Sequence, residues 1–416
     1  MKIIADRAAL MEAANLVAAV VPARSPSPAL SCLKLAAEKH GGVGTLTVAG
    51  TDAEASLEMT LTQVDVSQPG VAVVSAEKLK QILGAVAEGA PTITMELDGD
   101  QCKITGSHAK FRIFAFPAGD YPPFPDFAAA IGSATGPGAA RSTFIHSAGG
   151  LLALVTRTVF ATARETSRYA INGVLLKRDG RKIEMVATDG RRLALSRSTL
   201  KAQPAGGGAG GSGGESTPVS CIIPTRALNL LTRLAGDPEA SVRIAVTDNR
   251  VFFAFYDVEL KGKEGKDASG GGQSPRAILS STLVEGTFPP YEDVIPKDHD
   301  KKATTGRDEL SSAVRQASVL TNEESRGIRM QFSSKNKSVR LSSRAPELGD
   351  SEIDLGLTAY EGEDLTISFN PAFIADALRA VPEPEVMWEF KASNKPGVMK
   401  VGAEFLYVIM PVNLPE

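Results

Sequence analysis

Apolar residues recur at helical spacing in six stretches of the chain, which form three successive pairs. The first members of the pairs are residues 7–21, 147–161 and 306–320. In the first of them Leu10, Ala14 and Val17 fall on one face of a helix, because one turn takes 3.6 residues. Each of these stretches therefore predicts an amphipathic helix.

The second members of the pairs are residues 75–86, 224–235 and 370–381. They open with Ser75, Thr225 or Asn370, whose side-chain oxygens can accept from the free backbone N–H groups of a helix start. Pro371 suits the first helical position, where no backbone donor is needed. These stretches predict a second helix in each third of the chain.

Alternating or continuous apolar runs between and after these helices predict strands. The slot between the two helices of each pair holds residues 45–61, 182–197 and 338–355. Each third then closes on an aromatic and proline-rich stretch. The order helix, strands, helix, strands therefore occurs three times, which predicts an internal repeat of a domain-sized unit. The Gly/Ser-rich stretches 202–217 and 262–275 cannot bury apolar area, and we expect flexible insertions in hairpins there.

Composition narrows the class of protein. Hydrophobic residues make up 43% of the chain and charged residues 22%, with a net charge of −3, which is typical of soluble proteins and argues against coating nucleic acid by bulk charge. Asp6, Arg7 and Glu12 interrupt the apolar N-terminus, so we expect no signal peptide and a cytoplasmic protein. The three cysteines are far apart, which fits a reducing compartment.

The sequence offers no evident catalytic chemistry. No phosphate-binding GxxxxGK[ST] loop and no Cys/His cluster at metal spacing occur, and the four histidines are isolated. Acidic pairs such as Glu323 and Glu324 are better explained by a solvated helix end. We therefore expect no metal site, no cofactor and no enzyme, while a local basic face stays possible.

The segment ATDGRRLAL (187–195) is a strand with an interruption at Thr188, Asp189 and Gly190. Two arginines, Arg191 and Arg192, follow the glycine. The pattern alone allows a hairpin corner, a phosphate-binding loop or one wall of a pocket.

Six ordered segments resemble the beta subunit of bacterial DNA polymerase III, the sliding clamp family, over essentially the whole chain. The segments are SRYAINGVLL (167–176), VATDGRRLALS (186–196), GTFPPYEDVIP (286–296), LTNEESRGIRM (320–330), ISFNPAFIADAL (367–378) and YVIMPVNL (407–414). The resemblance implies an α+β fold of three repeated helix–sheet domains, with two chains closing a six-domain ring. The implied domains are residues 1–128, 140–291 (with both Gly-rich insertions) and 292–416.

The resemblance also implies a function. The family's ring encircles duplex DNA without regard to sequence and tethers the replicative polymerase as a non-catalytic processivity factor. The implied partners are double-stranded DNA, a second copy of the chain, the DNA polymerase III alpha subunit, the clamp loader and other proteins with clamp-binding motifs. We expect it in the cytoplasm, associated with the nucleoid.

A sliding ring needs scattered cations that face phosphates rather than base-specific contacts. The helix segments supply them at Lys78, Lys80, Arg157, Arg164, Arg168, Arg226, Arg233, Arg315 and Arg379. The resemblance places Arg24, Arg168, Tyr169, Arg226 and Arg233 in DNA-facing positions. Ordinary solvated helix faces are the alternative, and Glu77 and Glu165 stand where relatives are often basic or neutral.

Ring closure requires edges that pair between chains. KFRIFAF (110–116) alternates Phe111 and Ile113 with Lys110 and Arg112, as an amphipathic edge strand does. The resemblance pairs Phe111 and Ile113 with Val319 and Leu320 of the partner. Burial within each domain is the alternative for these four residues.

For ATDGRRL, the resemblance implies a wall of a hydrophobic cleft that receives short linear peptides. Gly190 would let a backbone approach, a thioether would adapt to varied side chains, and Arg192 would anchor a polar end. The implied cleft residues are Ile171, Thr188, Gly190, Arg191, Arg192, Leu193, Pro289, Asp293, Val294, Asn370, Phe373, Val408, Ile409, Met410, Pro411 and Leu414. Asp293 and Asn413 stand where relatives often carry arginine, which makes the site less cationic, and Ser325 stands where an aromatic residue can occur.

Three rival hypotheses remain at this point. A clamp paralogue that serves repair or a mobile element would form the same ring but bind different partner proteins. A repeat-built enzyme with an unrecognised site, or a structural scaffold without DNA, belongs to a different class.

Overall fold

The computed structural model describes residues 1–86, 91–132, 136, 138–163, 165, 169–200, 218–234, 236–257, 274–321 and 327–414. Both Gly-rich insertions lie essentially outside these residues. The chain forms two compact units. Of the described residues, unit 1 takes those in Met1–Leu152, Lys201–Val219 and Arg226–Leu283, and unit 2 those in Ala153–Leu200, Ser220–Thr225 and Val284–Glu416.

All six predicted helices are present, and most are a few residues shorter than the apolar pattern. The α-helices of the described chain are α1 Arg7–Ala18, α2 Ala76–Ala85, α3 Phe127–Gly132, α4 Ala148–Thr156, α5 Thr225–Leu234, α6 Arg307–Ala317 and α7 Pro371–Ala380. Short 3-10 turns occupy Pro28–Ser31, Ala118–Asp120, Val159–Ala161, Tyr291–Asp293 and Ser318–Leu320. The sequence pattern did not predict α3, which is too short to show a helical period.

Side-chain capping fixes several helix starts. Asn370 accepts from the backbone N–H of Ala372 at 2.9 Å, with Pro371 in the first helical position. Ser75 accepts from Lys78 at 3.4 Å, and Asp6 caps α1 through Ala9 at 2.8 Å. Thr225, also predicted as a cap, is the first residue of α5, and its hydroxyl donates to the carbonyl of Asn172.

Unit 1 is built on one sheet of thirteen strands, in the order β10-β15-β16-β17-β4-β3-β2-β6-β9-β8-β7-β1-β5. Its strands are β1 Lys2–Asp6, β2 Cys32–His40, β3 Val43–Thr51, β4 Ala55–Leu61, β5 Val64–Gln68, β6 Gly70–Ser75, β7 Thr92–Asp98, β8 Gln101–Gly106, β9 Ala109–Phe116, β10 Ser142–Ser147, β15 Ser241–Val246, β16 Arg250–Phe255 and β17 Ala277–Thr282. Helices α1 and α2 pack against each other, and α1 also covers β3 and β4.

The first and second repeats share this sheet through the antiparallel pair β4 and β17. Ser56 and Ser280 face each other across that pair, with their buried hydroxyls 2.7 Å apart. Tyr121 packs over Cys32 and Val73, and Phe127 packs on Phe252. The chain that connects the two repeats is therefore anchored to the sheet by aromatic burial.

Unit 2 contains two sheets. The nine-stranded sheet runs β14-β11-β12-β13-β26-β25-β24-β18-β22, and the four-stranded sheet runs β21-β20-β19-β23. The strands are β11 Gly173–Asp179, β12 Lys182–Thr188, β13 Arg192–Thr199, β14 Val219–Pro224, β18 Lys301–Gly306, β19 Ile328–Ser333, β20 Ser338–Ala345, β21 Gly349–Gly356, β22 Ala359–Glu361, β23 Leu365–Phe369, β24 Glu385–Phe390, β25 Gly397–Val401 and β26 Phe405–Ile409. Helix α6 packs on α7, β20 and β21.

The slot between the two helices of each repeat holds an antiparallel hairpin in all three cases. The hairpins are β3 with β4, β12 with β13, and β20 with β21. The internal repeat predicted from the order of apolar patterns is thus confirmed at the level of local structure.

Candidate functional site

The interruption in ATDGRRL is the hairpin turn between β12 and β13. The hydroxyl of Thr188 donates to the carbonyl of Arg192 at 2.7 Å. Asp189 Oδ1 accepts from the backbone N–H groups of Arg191 and Arg192 at 2.9 and 3.0 Å. Gly190 adopts a φ of 85°, which an L side chain rarely tolerates. The Thr-Asp-Gly order therefore suits the geometry of this turn.

Beyond the turn, β13 pairs with β26 and joins the second repeat to the third. Leu193 lies opposite Val408 and Arg192 opposite Ile409, and the backbone N–H of Met410 donates to the carbonyl of Arg191 at 2.9 Å. Leu193, Val408 and Ile409 are at most 2% exposed, and Thr188 is also buried. These predicted cleft residues form a buried floor rather than an open surface.

Two further predicted cleft residues, Val294 and Met410, are exposed apolar side chains, and we call them the rim. Val294 is 46% exposed and Met410 41% exposed. Val294 lies in the segment between β17 and β18, residues 283–300, which we call the connector. Its residues Phe288, Tyr291 and Ile295 pack in the cluster that contains Leu193 and Val408. The other predicted members are half-buried, namely Ile171, Pro289, Asn370, Phe373, Pro411 and Leu414, or exposed, namely Gly190, Arg191 and Asp293.

Arg192 is held by its own chain. Its Nε donates to Asp189 Oδ2 at 3.0 Å, its Nη1 to Asp376 Oδ2 at 2.8 Å, and its Nη2 to the carbonyl of Phe160 at 2.8 Å. The guanidinium also lies over the ring of Phe373, 4.4 Å from the centroid. Its side chain is only 10% exposed, so Arg192 is engaged within its own chain, and its role as the anchor of a polar peptide end stays a prediction.

The pKa values in this network reflect burial and charge. Burial acts to lower the pKa of Arg192, but Tyr407, Asp376 and Asp189 outweigh it and raise the pKa above the ordinary value. Burial raises the pKa of Tyr407, whose hydroxyl donates to the carbonyl of Phe373 at 3.0 Å. Sequence reasoning missed Asp376, Tyr407 and Phe160, because nothing in their spacing links them to the turn.

A polar network binds the connector to strands β11, β12 and β13. The hydroxyl of Tyr291 donates to Glu184, which also accepts from Arg197 Nε at 2.8 Å. Lys177 Nζ donates to Tyr291 at 3.0 Å and to Glu292 at 2.9 Å. Burial, together with Glu184, raises the pKa of Tyr291, so this hydroxyl stays a donor. The network fixes the position from which Asp293 and Val294 project.

The predicted DNA-facing residues differ in side-chain exposure and in whether they are paired within the chain. Arg24, Lys78 and Arg233 are exposed, and Tyr169 is 42% exposed. Arg226 forms an ion pair with Asp52 and donates to the carbonyl of Val20 at 2.8 Å, so part of its guanidinium is engaged. Arg168 and Arg164 lie outside the described residues.

Arg157 is a correction among the helix cations. Its side chain is 7% exposed and forms ion pairs with Glu383 and Glu404. A buried and paired guanidinium cannot face a phosphate, so this prediction is wrong. The apolar period of α4 did not reveal that the residue directly after the helix is a buried charge.

The predicted edge strand is β9. Its N-terminal part pairs with β8, and only Ala115 and Phe116 pair with β6. Phe111 and Ile113 are half-buried, whereas Phe114, on the face of Lys110 and Arg112, is 73% exposed. Sequence reasoning missed Phe114, although the break in alternation at Ile113 and Phe114 was the signal. In unit 2, Val319 is 74% exposed and Leu320 half-buried.

Other features bear on function. Among the described residues, no group of three or more His, Cys, Asp or Glu side chains could hold a metal ion. No helix in that part of the chain is long and apolar enough to cross a membrane. Of the two other departures from the family pattern, Asn413 is exposed and Ser325 lies outside the described residues.

A repeat-built α+β chain with a buried floor, an apolar rim and exposed cations defines a class: a binding and scaffolding protein. The comparisons with known proteins give the family. Models of the DNA polymerase III beta subunit match in order, the N-terminal domain at residues 1–125, the central domain at 148–263 and the C-terminal domain at 292–413. The chain belongs to the family of the DNA polymerase III beta subunit, the bacterial sliding clamps.

Individual relatives match this chain over its full length. The chain is 28% identical to the beta sliding clamp of Escherichia coli K12, covering 100% of both chains, and 28% identical to that of Pseudomonas putida, covering 98% and 99%. A DNA polymerase III beta subunit structure from Pseudomonas aeruginosa has a TM-score of 0.81 at 27% identity, and one bound to griselimycin has 0.83 at 27%. Both structures and this chain are covered completely. The protein is thus a non-catalytic processivity factor built from three repeats.

Proposed function

We propose that two copies of this chain close a ring around duplex DNA, and that the rim formed by Val294 and Met410 receives short peptide segments of its partners. The partners are the DNA polymerase III alpha subunit, the clamp loader and other proteins with such segments. The ring works in the cytoplasm, at the nucleoid. The observation that carries the peptide site is the exposure of Val294 and Met410, on segments that adjoin the buried, strand-paired floor.

The physical case for the rim rests on its composition. Exposed apolar side chains side by side with a fixed backbone turn are what a short apolar peptide needs, since burial of its side chains drives binding. A thioether adapts to varied partners, and Gly190, with no atom within 4 Å of where a Cβ would lie, leaves room for a peptide backbone. Modest affinity follows from the small area.

The DNA contacts rest on the exposed cations Arg24, Lys78 and Arg233. Such residues attract phosphates without reading bases, and the attraction weakens as salt rises. With a net charge of −3, the chain has no bulk attraction for DNA. Topological encirclement, rather than affinity, therefore provides the hold.

Retention on DNA tests the ring. Clamp loaded onto a circular nicked plasmid should stay bound through gel filtration in high salt, and should be lost once the plasmid is cut to a linear form. Equal retention on both templates would mean that the protein is an ordinary groove binder. Stimulation of long-product synthesis by DNA polymerase III is the matching activity readout.

Peptide titration tests the rim. We expect the neutral pentapeptide Gln-Leu-Ala-Leu-Leu to bind. Met410→Asp should lower its affinity about tenfold or more, because a charge replaces the thioether that the bound peptide would cover. Leu348→Asp is the matched control, since Leu348 is 73% exposed in the turn between β20 and β21. Equal loss in both variants, or no loss in either, would remove the rim as the peptide site.

A further inference from the structure

One residue of the connector links the rim to strand β12. Tyr291 is buried, and its ring packs with Leu193 and Val408 of the floor. Its hydroxyl donates to Glu184 Oε1 on β12. The backbone N–H of Val294 donates to the carbonyl of Tyr291 at 3.1 Å and closes the 3-10 turn of the connector. A displacement of Tyr291 therefore displaces Val294 as well.

Side chains, rather than the backbone, hold this part of the connector. The carbonyl of Thr287 accepts from the N–H of Ala170 at 3.3 Å, and the N–H of Asp300 donates to the carbonyl of Phe390 at 3.2 Å. Between Thr287 and Asp300, no backbone hydrogen bond joins the connector to the rest of the described chain. Apolar packing has little directional preference, whereas a hydrogen bond weakens steeply as its angle changes. The ring of Tyr291 therefore sets how deeply the connector packs, and its hydroxyl sets the orientation.

We propose that Glu184 is a positioning residue of the peptide site: its carboxylate holds the Tyr291 hydroxyl, and through it the exposed Val294 side chain that a bound peptide would cover. This inference rests on the proposed peptide site. Glu184 is itself held in place, because its Oε2 accepts from Arg197 Nε at 2.8 Å across the β12–β13 pair. Lys177 Nζ also contacts the Tyr291 hydroxyl, at 3.0 Å. An ammonium group can only donate, so the proton of the hydroxyl is directed at Glu184.

Fluorescence polarisation with the peptide Gln-Leu-Ala-Leu-Leu as the probe tests this role. Tyr291→Phe removes the hydroxyl and keeps the ring, and we expect it to lower the affinity for the probe about fivefold. Glu184→Gln should have a similar effect, because a neutral amide is a weaker acceptor than a carboxylate. Tyr121→Phe is the matched control, since Tyr121 is also buried and its hydroxyl donates to the carbonyl of Cys32 at 3.1 Å in the first repeat. We expect it to leave the affinity unchanged.

Two combinations separate positioning of the rim from a general loss of structure. Tyr291→Phe together with Glu184→Gln should lower the affinity no further than either change alone, since both remove the same bond. In the Val294→Ala background, Glu184→Gln should cause no further loss, whereas a general loss of structure would lower the affinity there too. If circular dichroism shows that the glutamine variant does not fold, Tyr291→Phe takes its place in that background. Unchanged affinity in Tyr291→Phe, or a full further loss in the Val294→Ala background, overturns the proposal. Failure of the wild-type protein to bind the probe would instead reject the peptide site itself.

Discussion

The carboxylate of Asp52 binds the guanidinium of Arg226. Asp52 lies in a turn of the first repeat that has the same hydrogen bonds as the turn at residues 188–192 of the second repeat. In the first repeat the hydroxyl of Thr51 donates to the carbonyl of Ala55 at 2.8 Å. Asp52 Oδ1 accepts from the backbone N–H groups of Glu54 and Ala55 at 3.0 and 2.7 Å. These bonds match those at residues 188–192, where the aspartate instead holds Arg192. One turn thus serves two purposes in successive repeats.

The Asp52 pair predicts that Arg226 and Arg233, both on α5, differ in what they do. Arg226→Gln should lower the free energy of unfolding by about 1 kcal/mol, a value reduced because Arg226 is half-exposed. Arg233→Gln should instead weaken DNA binding and reduce its dependence on salt by about one phosphate contact. Asp52→Asn should reproduce the loss of stability but not the loss of DNA binding. If Arg226→Gln reduces the salt dependence as much as Arg233→Gln, Arg226 is a phosphate contact after all.

The two copies of the turn also differ at one backbone position. Gly190 has a φ of 85°, and its counterpart Ala53 has a φ of 80°. A left-handed conformation costs an L residue roughly 1 kcal/mol relative to glycine. Ala53→Gly should therefore raise the free energy of unfolding by up to about 1 kcal/mol, and Gly190→Ala should lower it by a similar amount. Chemical denaturation measures both, and a destabilised Ala53→Gly variant would contradict the strain at this turn.

The fold followed from the sequence because helix and strand periods, caps and punctuation all agree within each repeat. The strand pattern was sufficient by itself at residues 338–355. They carry no Thr-Asp turn, yet they form a hairpin in the same place as residues 45–61 and 182–197 do in the other repeats. The roles of individual charged residues could not be predicted from the sequence. Arg157 and Arg192 look like surface cations in sequence, but their partners Glu383 and Asp376 lie far along the chain. Only the folded chain brings these charges together.

The β9 edge makes a prediction about assembly. If Phe111 and Ile113 form a ring-closing contact with Val319 and Leu320 of the partner, Ile113→Asp and Leu320→Asp should each give folded monomers at micromolar concentration. Phe114→Asp is the matched control on the opposite face of β9 and should stay dimeric. Sedimentation velocity gives the mass. Dimers of Ile113→Asp together with monomers of Phe114→Asp would assign the interface to the other face.

Glu58 on β4 predicts a dependence of stability on pH. Burial raises the pKa of its carboxyl to about 7, while nearby Lys34 opposes this rise and Asp126 adds to it. The folded state therefore binds the proton more tightly than the unfolded state, whose pKa is near 4.3. The stabilisation is complete below that pH and is lost as pH rises through 7, with an upper limit of about 4 kcal/mol.

Replacement of Glu58 by glutamine should remove this dependence. Between pH 5 and pH 8 the wild-type protein should lose more thermal stability than Glu58→Gln, when both are compared at one protein concentration by calorimetry. Glu54→Gln, at an exposed position in the preceding turn, is the control and should behave like wild type. Parallel pH profiles for wild type and Glu58→Gln would show that the Glu58 carboxyl titrates normally.

Asp293, which is exposed next to Val294 of the rim, predicts that the site prefers neutral peptides to acidic ones. The connector that holds it is fixed by Tyr291, which is buried and bonded to Glu184. A like-charge pair at ~4–6 Å in a half-buried groove opposes binding by about 1 kcal/mol, or about fivefold. The acidic peptide Gln-Leu-Asp-Leu-Leu should therefore bind more weakly than its neutral analogue, and Asp293→Arg should restore it. Asp298→Arg, an exposed aspartate further along the same connector, should have little effect. If titration calorimetry finds both peptides equal in wild type and in Asp293→Arg, the Asp293 side chain points away from the peptide.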